Sequence, residues 1–177
     1  ILMTQTLMQQ VRLQFAPHAA ALPPRFHFSF NICARHCQQL SLLDDCRSFL
    51  AAFTANPITL VLELTERELI TPNHLTERLF EELRQMGVRI GLDDFGTGHS
   101  SLTYLQQFHV DYLKIDQSFV AMIGTNALSR HILDSTISLA TRLGLQTIAE
   151  GVETQEQADF LVERQVDYLQ GYLYGRP

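Results

Sequence analysis

The chain has 177 residues, of which 46% are hydrophobic and 18% charged, and it contains no Trp. This composition is typical of a single globular domain with a sizeable core, and it excludes an intrinsically disordered chain. The formal net charge of −6 argues against a module that wraps a nucleic acid polymer through many phosphate contacts. No apolar run approaches the roughly 20 residues that a membrane-spanning helix needs.

The first predicted element is a helix that precedes the first strand. Apolar residues recur there at every fourth position, as they do on one face of a helix. The predicted face consists of Met3, Leu7, Val11 and Phe15.

Six strand-like segments alternate with helix-like segments along the rest of the chain. Alternating apolar residues or short apolar runs mark the strands. The predicted strands are residues 26–32, 59–65, 89–93, 112–116, 145–149 and 168–173.

Three cysteines follow the first predicted strand. Cys33, Cys37 and Cys46 form an odd and sparse set, which favours a reducing compartment over a disulfide framework. Together with His36 they present metal-binding atoms, but their spacing matches no zinc pattern. We expect them to be small buried side chains or surface thiols.

Two helices between the strands have recognisable ends. Thr71 followed by Pro72 predicts the start of the first, because Thr is a capping residue and Pro suits the first helical position. Asn126 is the predicted cap of the second, and the two helices are predicted to end at Gly87 and Gly144. The stripes expected to face the core are Leu75, Leu79, Leu83 and Met86 in the first and Leu128, Ile132, Leu139 and Leu143 in the second.

A further helix is predicted from a capping box formed by Thr154 and Gln157, and it ends near residue 163. Strands that alternate with helices predict a parallel sheet and therefore an α/β fold. A doubly wound sheet and most of a (β/α)₈ barrel are both open. The cluster Gly96-Thr97-Gly98 lacks the rest of a phosphate-binding loop, which favours the barrel.

Polar or charged residues lie near the carboxyl end of almost every predicted strand. In a parallel barrel these ends converge on one face, where active sites lie. Several carboxylates in one pocket would repel each other, and a hard cation such as Mg²⁺, Mn²⁺ or Ca²⁺ would relieve that repulsion. Two such cations suit the hydrolysis of a phosphodiester. The residues concerned are Asn31, Glu63, Glu66, Asp93, Asp94, Lys114, Asp116, Glu150, Glu153 and Gln170.

Three of these positions carry more specific expectations. Asp93 and Asp94 are consecutive, so both can face one site only where the strand gives way to a loop. Lys114 lies in an otherwise apolar strand. It is either a structural partner of a carboxylate or a cation that orients an attacking water, and the spacing leaves both interpretations open.

The chain also contains a series of short motifs in a fixed order. They are Glu63-Leu-Thr-Glu66, Asp93-Asp-Phe-Gly-Thr-Gly98, Leu113-Lys-Ile-Asp116, Ala149-Glu-Gly-Val-Glu-Thr154 and Gln170-Gly171. Over residues 26–177 this set resembles the EAL family of bacterial cyclic di-GMP phosphodiesterases. The resemblance implies a TIM-type (β/α) barrel, incomplete in this chain, which holds about six of the eight strands.

The resemblance further implies metal-dependent hydrolysis of the second messenger cyclic di-GMP to linear pGpG, with two Mg²⁺ or Mn²⁺ ions in the site. The implied metal ligands are Asn31, Glu63, Asp93, Asp94 and Glu150. The implied catalytic residues are Lys114, Glu150, Glu63, Asp93 and Asp94.

Individual roles are implied in the same way. Lys114 holds the attacking water, Glu150 is a ligand or base, and Gln170 completes the substrate pocket. Glu66 and Glu153 support the site. Glu66 anchors the loop of residues 95–100, which couples the site to a dimer interface.

One departure from the family is the absence of the Glu-Ala-Leu signature, whose Glu is a metal ligand. In the family it precedes the position of Asn31, so we expect it to fall before Ile1. We therefore expect residues 1–177 to be the C-terminal three-quarters of an EAL domain and to hydrolyse little cyclic di-GMP alone.

Two alternatives to an enzyme are a catalytically silent cyclic di-GMP receptor and a protein-interaction module. Retention of Glu63, Asp93, Asp94, Lys114 and Glu150 favours the enzyme. We expect a cytoplasmic homodimer that meets a membrane only through regions outside this chain.

Overall fold

The structure is a computed structural model that describes residues 1–54, 56–65, 70, 73–95, 105, 108–124 and 127–176, with residues 127–129 described by their main chain only. The chain divides into two compact units, Ile1–Ile90 and Gly91–Pro177. The boundary between them falls within the third strand.

The first unit begins with a helix and contains a parallel pair of strands. Its elements are α1 (Leu2–Phe15), β1 (His27–Ile32), α2 (Ser41–Ala51), β2 (Thr59–Thr65) and α3 (His74–Gln85). The register of β1 and β2 places Asn31 opposite Glu63. The predicted strands 26–32 and 59–65 are confirmed, while α2 was not predicted.

Phenylalanine rings form much of the core of the first unit. Phe28 and Phe30 project from the same face of β1, because alternate residues of a strand share a face. Their ring centroids lie 5.5 and 5.2 Å from that of Phe49 on α2. Asn31 lies on the opposite face of β1 and is exposed. The aromatic packing therefore fixes the face from which Asn31 projects.

The buried face of α1 differs from the predicted one. The helix itself is confirmed, but its buried residues are Thr4 and Met8. Met3 is 82% exposed and Leu7 48% exposed. The buried face is rotated by about one residue, because apolar side chains occur on both sides of this helix.

The start of α3 is also corrected. Asn73 is the cap, since its side chain accepts hydrogen bonds from the main-chain amides of Leu75 and Thr76. Thr76 completes a capping box by accepting from the Asn73 amide. Leu79 and Leu83 are buried as predicted, whereas Leu75 is 38% exposed. The predicted cap at 71–72 lies outside the described residues.

The second unit is a run of parallel strands and helices. Its elements, with the strand that leads into it, are β3 (Arg89–Phe95), β4 (Tyr112–Ile115), α4 (Gln117–Ala121), α5 (Ala127–Leu143), β5 (Gln146–Ala149), α6 (Gln155–Glu163) and β6 (Tyr168–Leu169). Each strand from β3 to β6 pairs in parallel with the next. The predicted α/β fold with parallel strands is confirmed.

Three strands end at a different residue from the one predicted. β3 continues through Asp94 to Phe95. β4 ends one residue earlier, because Asp116 caps α4 instead of extending the strand. β6 has only two residues, so Gln170 follows the strand rather than lying within it.

The buried stripe of α5 is corrected as well. Leu133 and Ile137 are buried, whereas Ile132 is 40% and Leu143 50% exposed. The helix ends directly before Gly144, as predicted. The side chains of residues 126 and 128, which belong to the predicted cap and stripe, lie outside the described residues.

The capping box of α6 is confirmed. The Thr154 side chain accepts from the Gln157 amide, and the Gln157 side chain accepts from the Thr154 amide.

Candidate active site

A buried lysine lies at the centre of the candidate site in the second unit. Lys114 is 4% exposed and lies in β4 between apolar neighbours. Its Nζ lies 2.7 Å from Oε1 of Glu150 and 3.2 Å from Oδ1 of Asp93. A buried ammonium keeps its charge only when nearby carboxylates compensate for its lost hydration. The structure thus brings together Asp93, Lys114 and Glu150.

Asp93 and Asp94 lie at an irregularity of β3. The ladder to β4 shifts its register between Leu92 and Phe95, which is a β-bulge. Asp94 has a φ of +57°, in the left-handed region that Asp tolerates better than most residues other than glycine. The Asp94 amide donates a hydrogen bond of 2.9 Å to Oδ1 of Asp93. The bulge interrupts the alternation that would otherwise send the two carboxylates to opposite faces.

Asp116 is a neighbour of this site that the sequence patterns noted but to which they assigned no role. Its carboxylate caps α4 by accepting from the Ser118 amide at 2.9 Å and from the Ser118 hydroxyl. Burial alone would raise the pKa of Asp116, but hydrogen bonds donated by Ser118 and the Gln117 amide, together with a side-chain contact to Asp94, lower it overall. Its motif position directly after Leu113-Lys-Ile could have identified it.

Glu150 and Gln170 each directly follow a strand, and main-chain bonds link them to their neighbours. The Glu150 amide donates to the Ile115 carbonyl of β4 at 3.1 Å. The Gln170 amide donates to the Ala149 carbonyl at 2.8 Å, and its carbonyl accepts from the Val152 amide at 3.0 Å. The segments after β5 and β6 therefore run side by side.

The two residues expected to support the site have different outcomes. Glu153 is exposed, and its amide donates to the Gln157 side chain at 2.8 Å at the start of α6. The structure therefore places it in the cap of a helix. Glu66 and residues 96–100 lie outside the described residues.

In the first unit, Asn31 and Glu63 are register partners on adjacent parallel strands. Paired residues of this kind project from the same face of the sheet. Glu63 is 6% exposed, and the Asn31 carbonyl accepts from the Thr4 hydroxyl of α1 at 3.1 Å. Two potential oxygen ligands thus lie side by side in this unit.

The donor chemistry of the candidate residues suits a hard cation. All the candidate ligands supply carboxylate or amide oxygens, which Mg²⁺ and Mn²⁺ prefer. Within the described parts of the chain, no group of three or more His, Cys, Asp or Glu side chains is positioned to hold a metal ion. In the second unit the Lys114 ammonium contacts both Asp93 and Glu150.

The cysteines are free thiols, and two of them belong to the core. Cys37 and Cys46 are fully buried, as small apolar side chains would be. Cys33 is partly exposed, and its Sγ lies 3.1 Å from Nδ1 of His36. The same ring nitrogen accepts from the Cys33 amide at 2.9 Å, so His36 holds the turn after β1.

Comparison with known proteins identifies the family. The fold is that of a parallel α/β domain. Its cluster of two carboxylates and a lysine suits a hydrolytic reaction. The sequence-family model that describes the EAL domain matches residues 1–177 of this chain. The chain therefore belongs to the EAL domain family, and the predicted family is confirmed.

Two curated relatives from Escherichia coli strain K12 are named for the same activity. The chain is 41% identical over 175 residues to the probable cyclic di-GMP phosphodiesterase PdeG, covering 99% of this chain and 34% of PdeG. It is 41% identical over 177 residues to the cyclic di-GMP phosphodiesterase PdeL, covering 100% of this chain and 49% of PdeL. The chain thus spans a third to a half of the length of these relatives.

Solved structures support the same assignment. The EAL domain of Mycobacterium smegmatis DcpA matches with a TM-score of 0.86 and 30% identity, over 99% of this chain and 79% of that one. The manganese and cyclic di-GMP complex of Klebsiella pneumoniae BlrP1 matches with a TM-score of 0.76 and 26% identity, over 96% of this chain and 44% of that one. The predicted TIM-type barrel class of the EAL family is confirmed.

Helix length and hydropathy give one further finding. None of the helices in the described parts of the chain is long and apolar enough to cross a bilayer.

Proposed function

We propose that this protein hydrolyses cyclic di-GMP to linear pGpG in a metal-dependent reaction. The observation that carries the proposal is the buried Lys114 ammonium between the Asp93 and Glu150 carboxylates. A receptor that only binds the nucleotide has no need of this arrangement, whereas hydrolysis needs a positioned cation and a base. The names of PdeG and PdeL support the same substrate.

The proposed cofactor is a pair of Mg²⁺ or Mn²⁺ ions. Their ligands would be Asn31 and Glu63 in the first unit and Asp93, Asp94 and Glu150 in the second. When bound, such ions activate a water and stabilise the leaving oxygen. The BlrP1 complex with manganese and cyclic di-GMP supports this choice of cofactor.

Lys114 and Glu150 are proposed to act on the attacking water. Lys114 donates a hydrogen bond to the water oxygen, and Glu150 accepts a proton as that oxygen attacks phosphorus. The P–O3′ bond then breaks, O3′ takes up a proton from solvent, the ring opens to pGpG, and Glu150 returns its proton to solvent. Gln170 follows β6 beside the segment that carries Glu150, and it contacts the substrate.

The deciding experiment measures cyclic di-GMP turnover with Mg²⁺ or Mn²⁺, in the full-length product of the gene that encodes this chain. We expect linear pGpG as the product and no turnover after chelation of the metal. Asp93→Asn should reduce kcat at least about a hundredfold, because it removes a proposed ligand and a partner of Lys114. Asp159→Asn is the matched control, since Asp159 is an exposed residue of α6. Nucleotide binding without turnover would support the receptor instead.

We also propose that the protein forms a homodimer in the cytoplasm, as the family resemblance implies. The outward face of α5 supports an interface, because Ile132 is 40% exposed beside His131 and Leu139. Sedimentation velocity should show a dimer that Ile132→Glu weakens and that Ser138→Glu, at another exposed position of the helix, does not. A monomer at all concentrations would contradict this proposal.

A further inference from the structure

The main chain that carries Glu150 is tied to its neighbours on both sides. On one side, the Glu150 amide donates to the Ile115 carbonyl at 3.1 Å. On the other, the Val152 amide donates to the Gln170 carbonyl, and the Val152 carbonyl accepts from the Leu173 amide, each at 3.0 Å. Residues 150–152, which we call the Glu150 turn, are therefore held between the strand β4 and the segment after β6.

Gly171 lies directly against the Glu150 turn. A Cβ at this position would lie 2.2 Å from the main-chain oxygen and 2.3 Å from the nitrogen of Val152. Side-chain rotation cannot relieve this overlap, because the atoms belong to a main-chain peptide. Any residue other than glycine would push the segment after β6 away from the turn.

Gly151 makes a second close approach, on the opposite side of the turn. A Cβ there would lie 2.6 Å from Cβ of Gln117, the first residue of α4. Gly151 also has a φ of +68°, which disfavours any side chain. Here the main obstacle is a side-chain atom, so removing Cβ of Gln117 would relieve most of the overlap and leave a 3.3 Å approach to the Gln117 Cα.

We infer that Gly151 and Gly171 are positioning residues that hold the Glu150 carboxylate against Lys114 Nζ. Each leaves the space that Gln117 or the Val152 peptide occupies, and together they fix the turn between two neighbours. The distance that this arrangement maintains is the 2.7 Å between Glu150 Oε1 and Lys114 Nζ. The kinetic consequence rests on the proposed function, whereas the structural consequence does not.

The structural test uses NMR spectra of the 177-residue chain with ¹³C-labelled lysine, because Lys114 is the only lysine in the sequence. We expect the Lys114 ε-methylene signal to move in Gly171→Ala and in Gly151→Ala. Gly175→Ala is the control, because a Cβ at Gly175 would meet nothing within 4 Å. In Gly151→Ala/Gln117→Gly the signal should return part of the way, since most of the overlap is removed while the unfavourable φ remains.

The kinetic test uses the full-length product of the gene that encodes this chain, after thermal unfolding has shown each variant to be folded. We expect kcat to fall about tenfold or more in Gly171→Ala and Gly151→Ala, with KM changed less than about threefold. Recovery of kcat by Gln117→Gly would separate a positioning role from a general loss of stability.

Several outcomes would overturn the inference. One is an unmoved Lys114 signal in the folded single variants, and another is an unchanged kcat in them. If Gly171→Ala does not fold, the Gly151 series decides, and failure of Gln117→Gly to restore the signal overturns the inference. Absence of turnover in the unmodified protein counts against the proposed function instead, and the NMR result then decides this inference.

Discussion

Lys114 shows how one residue can be required by both the fold and the proposed chemistry. Its ammonium is almost fully buried and contacts the carboxylates of Asp93 and Glu150. Loss of the ammonium would leave two carboxylates facing each other in a partly buried site, which costs more than the loss of an exposed ion pair.

The first prediction concerns this buried cluster. Lys114→Met should lower the free energy of unfolding by about 3 kcal/mol, because it leaves Asp93 and Glu150 without their counter-charge. Urea unfolding measures the change. Arg78→Met is the control, since the Arg78 side chain is 67% exposed in its ion pair with Glu82 and should matter little. Equal stability of the Lys114 variant and the unmodified chain would contradict the prediction.

The second prediction concerns the thiol of Cys46. Burial, with a smaller effect of the Asp45 charge, raises its pKa from the ordinary 9.0 to about 12. The folded state thus keeps a proton that the unfolded state loses above about pH 9. The contribution of the protonated Cys46 thiol to the free energy of unfolding is therefore fully present below about pH 9. This contribution is lost as the pH rises towards 12.

This pH dependence is measured by urea unfolding at about pH 8 and about pH 10.5. Between these two pH values, the free energy of unfolding of the unmodified chain should fall by roughly 1–2 kcal/mol more than that of Cys46→Ala. Cys33→Ala should keep the steeper dependence, because Cys33 is only partly buried. Parallel pH profiles for the unmodified chain and Cys46→Ala would refute the assignment.

At the scale of elements, periodicity predicted β2 to the residue and the α6 capping box in full. It failed where two signals competed. Pro72 drew the predicted start of α3 to Thr71, although Asn73 caps the helix equally well by type and does so in the structure. On α5 apolar residues occupy two overlapping stripes, so the sequence alone could not separate the buried Leu133 from its exposed neighbour Ile132.

The same limit applies to the site. The strand-end pattern drew attention to Asp93, Lys114 and Glu150, which the structure brings together. Asp116 was noted at its strand end but given no role, because an Asp after a strand is more often a simple helix cap, and here it is a cap as well. The bulge at Asp94 depends on main-chain geometry and leaves no clear signal in residue types.

The third prediction tests the orientation of α5. Leu133→Ala should lower the free energy of unfolding by about 3 kcal/mol, because it removes a buried side chain and leaves a cavity. Ile132→Ala, one position earlier and 40% exposed, should cost less than about 1 kcal/mol. Urea unfolding of both variants measures the difference. A larger loss in Ile132→Ala would mean that the originally predicted stripe is the buried one.

At the scale of the whole molecule, the chain covers 79% of the solved EAL domain of DcpA and a third to a half of PdeG and PdeL. Its sequence contains no Glu-Ala-Leu segment. From the family resemblance we propose that the Glu of this signature is one further metal ligand, which residues 1–177 do not supply.

The fourth prediction follows from this incomplete set. Residues 1–177 alone should turn over cyclic di-GMP at least about a hundredfold more slowly than the same chain extended at its N-terminus by a segment that carries the Glu-Ala-Leu signature, because a proposed metal ligand is missing. Steady-state production of pGpG measures both rates. Near-equal rates would show that the ligands within residues 1–177 suffice.

The bulge of β3 also limits how this chemistry can be moved to another scaffold. A designer who copied only the side chains of Asp93 and Asp94 onto a regular strand would obtain one carboxylate on each face of the sheet. The pair can be transplanted only with its main chain, including the extra residue and the left-handed φ of Asp94. A designer must therefore transfer a short segment of backbone together with the two acidic residues.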